Sequence, residues 1–273
     1  MSLAPVLAPK KPVWFRNSAI AGGLGLIAYI GLAWFQPWQP GRFWGLTFGT
    51  IAAVLFFNAG LYPLRRRLQA RPLGTVQRWM QLHAYGTMIA LLFVLIHVGF
   101  RLPGGQFGWW LFGLSVWTCL TGLLGVFLQK WLPVVIARNL KIEAIYERIP
   151  DLVGRLSAEA EKLMAGAGDA LSRTYRDDLK PLLATPMPQW AYVADVRAPR
   201  AKLVEPLTRI VSFVDEADRE RLRDLTSIVN DKLDLDVHMS LQRALRLWLV
   251  LHVPPAVVLL GLLIIHVFAV VYL

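Results

Sequence analysis

The chain has 273 residues, 56% of them hydrophobic, and a mean hydropathy of +0.47; that is too apolar for an ordinary soluble domain and long enough for several membrane spans. Its net charge of +11 suggests a nucleic-acid partner, but all 18 acidic residues lie between Glu143 and Asp236, where the 19 basic residues of Lys130 to Arg246 nearly balance them. The remaining positive charge flanks apolar runs, a mark of membrane topology that excludes nucleic acid.

Met1 to Asn17 is Pro-rich and basic, with Lys10, Lys11 and Arg16, and reads as a cytoplasmic tail. The apolar run that follows, Ser18 to Phe35, is longer than a signal-peptide core and lacks a strong cleavage site, so an uncleaved anchor is expected. A second span is predicted from about Phe43 to Tyr62. Beyond it, Arg65, Arg66, Arg67, Arg71 and Arg78 form a cluster that the positive-inside rule places in the cytoplasm. The third span, Trp79 to Phe100, contains His83 and His97 and is followed by Arg101 and a Pro-Gly-Gly turn. A fourth runs from about Phe107 to Gln129 and ends at Lys130, Arg138 and Lys141.

Residues 133–241 form a polar insertion of mixed charge. Helices are predicted at Asn139 to Met164, Ala170 to Leu183, Ala201 to Val214 and Glu216 to Asp234, the last with Asp215 as its N-cap. Trp190 to Val196 carries the pattern of a short strand. Gly166-Ala167-Gly168 lacks a third glycine and a preceding strand, so it reads as a helix-ending turn and not as a phosphate loop. The fifth span, Leu247 to Leu273, has no charge and holds His252 and His266.

The fold class is therefore all-α: an integral membrane bundle of five transmembrane helices, with a cytoplasmic, mostly helical insertion between helices 4 and 5. The segments are a tail (1–17), helices 1–4 (18–132), the insertion (133–241) and helix 5 (242–273). Eight basic residues on the inner flanks before the insertion face only Arg42 and Arg101 on the outer loops. The expected location is the bacterial inner membrane, with the N-terminus and the insertion cytoplasmic and the C-terminus outside.

Four of the five histidines occupy two spans, 14 residues apart in each. At about 100° and 1.5 Å per residue, that spacing returns to nearly the same helix face about 21 Å further along. Spans three and five both run outward, so His83 and His252 share the inner level and His97 and His266 the outer one. Ionisable residues inside hydrocarbon are costly and mark functional sites. Facing histidines from two helices, twice over, are how a bundle supplies axial ligands to two haem irons. Cys119, the one cysteine, excludes C-x-x-C-H attachment and thiolate clusters, so each haem is b-type; Cys119 itself reads as a small buried hydrophobe. His238 lies 14 residues before His252 but has no partner at its level, and is expected on the surface.

Arg101 at the outer level and Arg78, Arg243 or Arg246 at the inner one suit either haem propionates or interfacial anchoring. Gly86, with Gly113, Gly122 and Gly125 on the fourth span, provides room for a porphyrin or for close helix packing. Pro254 and Pro255 are expected to free the carbonyls of Val250 and Leu251 and to kink the helix beside His252.

The paired H-x13-H motifs, His83 with His97 and His252 with His266, resemble the di-haem core of respiratory cytochrome b. Their placement on the third and fifth spans is similar to the membrane domain of ferric reductases and NADPH oxidases. The resemblance covers about a fifth of the chain, and no sixth span, flavin or nicotinamide domain accompanies it. It implies two haem b groups, an inner one on His83/His252 and an outer one on His97/His266, with electron transfer across the membrane.

Three function classes follow. One is a cytochrome subunit of a membrane redox complex, passing electrons between a quinone pool and a soluble carrier, iron–sulfur protein or c-type cytochrome. The chain has no other redox centre, so this reading borrows a partner at each end. A second is a ferric-reductase-like enzyme acting on an external acceptor, which calls for a flavin or nicotinamide site. The third is a haem-free assembly or transport subunit. With both axial positions filled by histidine, electron transfer is expected in place of substrate binding at iron.

Overall fold

The computed structural model describes residues 12–67, 74–139, 145–194 and 197–272. Among them the structure is all helical, with no strand. In chain order the helices are α1 (Pro12–Phe35), α2 (Phe43–Gly60), α3 (Tyr62–Arg67), α4 (Val76–His97), α5 (Gln106–Asn139), α6 (Ile149–Leu163), α7 (Asp169–Thr174), α8 (Lys180–Ala184), α9 (Ala191–Ala194), α10 (Arg197–Ile210) and α11 (Arg219–Tyr272). The chain divides into two compact units, one reaching to Lys130 and including Trp248 onward, the other Trp131–Leu247.

The first unit holds the apolar helices. Five helices, α1, α2, α4, α5 and α11, are long and apolar enough to cross a membrane. Large apolar side chains such as Ile27 and Trp34 on α1, Leu120 on α5 and Val257 and Ile264 on α11 are exposed. Apolar surface of this extent is what a membrane-spanning helix presents to lipid.

Helix α4 packs chiefly along α2 and also touches α1. It begins three residues before the expected Trp79 because Thr75, in extended geometry, accepts the Arg78 amide at 3.3 Å. It ends at His97, where Gly99 turns the chain at φ +66°. Two apolar clusters fill the unit. Phe48 and Ala52 of α2 meet Phe93 and Ile96 of α4. Phe56, Ala90, Cys119 and Leu259 join α2, α4, α5 and α11. Cys119 is buried there, as expected of a small hydrophobe, and its Sγ lies 3.3 Å from the Thr87 carbonyl.

In the second unit Leu171, Leu179, Leu183, Leu207, Leu225, Val229 and Leu233 form the main core. Residues 232–238 of α11 are buried on every side despite carrying Lys232, Asp234, Asp236 and His238. Lys232 Nζ pairs with Asp236 Oδ2 at 2.6 Å, both side chains fully buried. The second oxygen of Asp236 accepts the Met187 amide at 2.8 Å, and the Ser240 hydroxyl accepts the Gln189 amide at 3.0 Å. Pro186 and Pro188 have no N–H, so these two amides are the ones that stretch has to offer, and both are satisfied on α11.

Several expectations for the insertion need correction. The described part of the predicted helix over Asn139 to Met164 starts as a 3₁₀ turn, Tyr146–Arg148, with Ile145 extended; Pro150, which lacks an N–H, then opens α6. Residues 140–144 lie outside the described residues. The predicted helix at Ala170 to Leu183 is interrupted by a π-helical turn, Tyr175–Leu179. Asp215 is extended at the N-cap position but makes no side-chain capping bond. Trp190 to Val196 is no strand where it is described: Tyr192 and Val193 donate back to Gln189 and Trp190, opening the short helix α9. His238 is buried, with Nδ1 2.8 Å from Gln242 Nε2. The largest difference is that α11 does not stop at Asp234 but runs unbroken for 54 residues into the fifth apolar segment. Gly166, at φ +81°, ends its turn as expected.

Breaking a buried pair leaves one charge uncompensated. Lys232→Met alone is expected to lower unfolding stability by about 3–5 kcal/mol. Lys232→Met with Asp236→Asn removes both charges yet keeps an acceptor for Met187, and should recover most of the loss. Thermal unfolding of the solubilised protein measures both; equal losses would contradict the assignment.

Candidate functional site

The third and fifth apolar segments bring their histidines face to face. The rings of His83 and His252 have centroids 6.2 Å apart, and those of His97 and His266 are 6.4 Å apart. The planes cross at 76° and 79° respectively. All four side chains are half-buried. Each level thus presents two imidazoles from different helices, across a gap of similar width.

In three of the four, Nδ1 is held. His83 Nδ1 lies 3.0 Å from the Ala59 carbonyl, and His97 Nδ1 lies 2.8 Å from the Gly45 carbonyl. A carbonyl only accepts, so Nδ1 carries the proton in both and Nε2 keeps its lone pair. His252 Nδ1 lies 2.9 Å from the Thr121 hydroxyl. That hydroxyl donates to the Trp117 carbonyl at 2.8 Å, and so accepts from His252. An acceptor on the other ring nitrogen, which fixes the tautomer and raises basicity, is the usual companion of a metal-bound histidine.

The acceptors repeat the ligand spacing. Gly45 and Ala59 are 14 residues apart on α2, as His83 and His97 are on α4. The antiparallel pairing therefore satisfies both histidines from one helix. Gly49 makes the outer contact possible, because a Cβ there would lie 2.8 Å from His97 Nδ1. Trp38 closes the same end: its Nε1 donates to the His97 carbonyl at 3.2 Å, and its ring fills the space beside Gly99.

A second seam fixes the inner pair. Trp117, Thr121 and Gly125 recur every four residues on one face of α5. Trp117 Nε1 donates to the Leu251 carbonyl at 2.9 Å, which is the carbonyl left free by Pro255. The Trp248 ring stacks on His252 at 5.6 Å, its Nε1 donates to the Thr121 carbonyl at 2.7 Å, and its far edge occupies the place of a Gly125 Cβ. Gly122 serves close packing, with His252 Cε1 in ordinary contact at 3.5 Å from the position of its Cβ.

The residues fit a haem at each level. Two axial metal–nitrogen bonds of about 2.0–2.1 Å, with about 1.1 Å from each nitrogen to its ring centre, put bis-imidazole centroids about 6.3 Å apart. Both observed separations match. Among the described residues no three His, Cys, Asp or Glu side chains come together. Two nitrogen donors per level suit a metal whose macrocycle brings its own equatorial ligands. Between the levels, Phe56, Ala90, Cys119 and Leu259 form a dry apolar layer.

The other expected site residues are less closely involved. Arg78 and Arg101 are exposed at the two ends of α4. Arg246 bonds to Glu147 and lies 4.0 Å over the Tyr146 ring, and Arg243 Nε lies 3.3 Å from the Tyr146 hydroxyl. Gly86 is buried, and a Cβ there would meet Leu82 and Leu55 at ordinary distance, so packing does not require the glycine. Sequence reading missed Gly45, Gly49, Ala59, Trp117, Thr121 and Trp248. The spacing of four on α5 and the position of Trp248 one turn before His252 were available signals.

Compared with protein-family models, with curated proteins and with solved structures, the chain matches none.

Gly49→Ala is expected to displace the His97 ring and spoil the outer pair alone. Haem recovered with the purified protein should fall to about half, since one of the two bis-histidine levels is lost; unchanged content would contradict the role given to Gly49.

Proposed function

We propose that this chain is a di-haem b-type cytochrome subunit that carries electrons across a membrane between a quinone pool and a soluble or peripheral redox partner. The observation that carries the reading is the ring separation of 6.2 and 6.4 Å at two levels of one helix pair. His83 with His252 would hold the inner haem and His97 with His266 the outer one. When bound, haem supplies an iron that gains or loses one electron at a time.

The chain's own part is ligation, orientation and insulation. Ala59, Gly45 and Thr121 keep the Nδ1 protons of His83, His97 and His252 in place, so each Nε2 keeps its lone pair free for a metal. With two histidines committed to it at each level, a haem held there would supply electron transfer in place of substrate binding at iron. The apolar layer at Phe56, Ala90, Cys119 and Leu259 excludes water between the levels, and a dry environment disfavours the extra positive charge of the ferric state. By the positive-inside rule, the unit Trp131–Leu247 faces the cytoplasm, where its charged helical surface suits a partner subunit, and the location is a bacterial inner membrane.

A dithionite-reduced minus oxidised spectrum with a pyridine haemochrome assay tests the proposal. Two low-spin b haems per chain are expected, falling to one in His97→Ala and to one in His252→Ala. Protein purified without haem would overturn it.

A further inference from the structure

The turn between α1 and α2 forms an open cleft of about 260 Å³ lined by Gln36, Trp38, Gln39, Arg42, Phe43 and Trp44, together with Gly45. Two of these residues touch the outer histidine directly. Gly45 accepts the His97 Nδ1 proton at 2.8 Å, and Trp38 donates to the His97 carbonyl at 3.2 Å. The cleft thus shares Gly45 and Trp38 with the surroundings of His97.

The lining combines two chemistries. Among the described residues, the side-chain amides of Gln36 and Gln39 and the guanidinium of Arg42 make no hydrogen bond or ion pair, so several donors at the cleft are unused. Trp38, Phe43 and Trp44 provide aromatic faces, with Phe43 and Trp44 exposed. Such a site suits a planar ring that stacks on aromatic side chains and carries oxygens for the donors. Its volume is below the roughly 300–1,000 Å³ of a pocket for a drug-sized molecule, which limits the occupant to a one- or two-ring headgroup. A lipid phosphate would use Arg42 but leave the aromatic faces without a partner.

We infer that this cleft binds the headgroup of a lipid-soluble quinone, with Arg42 and Gln39 bonding to its carbonyl oxygens and Trp38 lying between it and His97. The assignment rests on the electron-transfer reading for its purpose, but the binding itself requires no haem.

The test is a titration of the full chain in neutral-lipid nanodiscs with a short-tailed naphthoquinone, read by tryptophan quenching, with haem content assayed on the same samples. Saturable quenching is expected, weakened about tenfold or more in Arg42→Ala and in Gln39→Ala at unchanged haem content, as the loss of one good hydrogen bond to a charged or amide donor implies. Quenching that never saturates, equal affinity in wild type and both variants, or a cleft that binds phosphatidylglycerol and not the quinone would overturn the inference. Saturable binding to a protein that carries no haem would leave the cleft standing and remove the di-haem function; two haems without quinone binding would do the reverse.

Discussion

An imidazole placed among apolar helices has two polar nitrogens to satisfy, and the arrangement of the first unit follows from that constraint. At His83 and His97 one nitrogen is satisfied by a backbone carbonyl of α2, at Ala59 and Gly45. These bonds fix which nitrogen carries the proton, and with it the direction of the remaining lone pair. They also fix the position of α2, because both acceptors must come from one antiparallel helix at the same 14-residue interval as the histidines. Close packing of α2 on α4 is thus tied to ligand geometry as well as to the apolar contacts of Phe48, Ala52, Phe93 and Ile96.

The inner level is built differently, and the reason lies in Pro255. A proline in a helix interior leaves the carbonyl four residues earlier without its partner, which is costly in an apolar medium. Trp117 satisfies that carbonyl, Leu251, and in doing so brings the Thr121 face of α5 against His252. Trp248 then covers the imidazole and bonds to the Thr121 carbonyl. A hydroxyl is thus the acceptor for His252 where carbonyls serve His83 and His97, so the inner and outer levels are chemically distinct although their ring separations are nearly equal.

Much of this was legible in the sequence, and the misses have physical causes. The five apolar helices and the two histidine levels follow from charge-free runs and from the match between a 14-residue interval and the helical repeat. The acceptors at Gly45 and Ala59 were not legible, since a backbone carbonyl leaves no mark on residue identity. The helix predicted at Glu216 to Asp234 ends before the fifth span. The structure instead surrounds Lys232 and Asp236 and satisfies each with the other, which lets α11 continue without a break. His238, expected on the surface because no second histidine shares its level, is buried in the same stretch. Trp190, Tyr192 and Val193 have strand propensity, but a local turn won over it.

The crossing angles of the paired rings offer the most direct test of the central claim. Imidazole planes at 76° and 79° would leave the two iron orbitals that overlap with them nearly equal in energy. Low-temperature electron paramagnetic resonance of the oxidised protein should therefore show two low-spin ferric haem signals, both strongly anisotropic. A spectrum with no low-spin ferric signal, or with only the rhombic signals of coplanar imidazoles, would contradict the assignment of His83 with His252 and His97 with His266 as haem ligands.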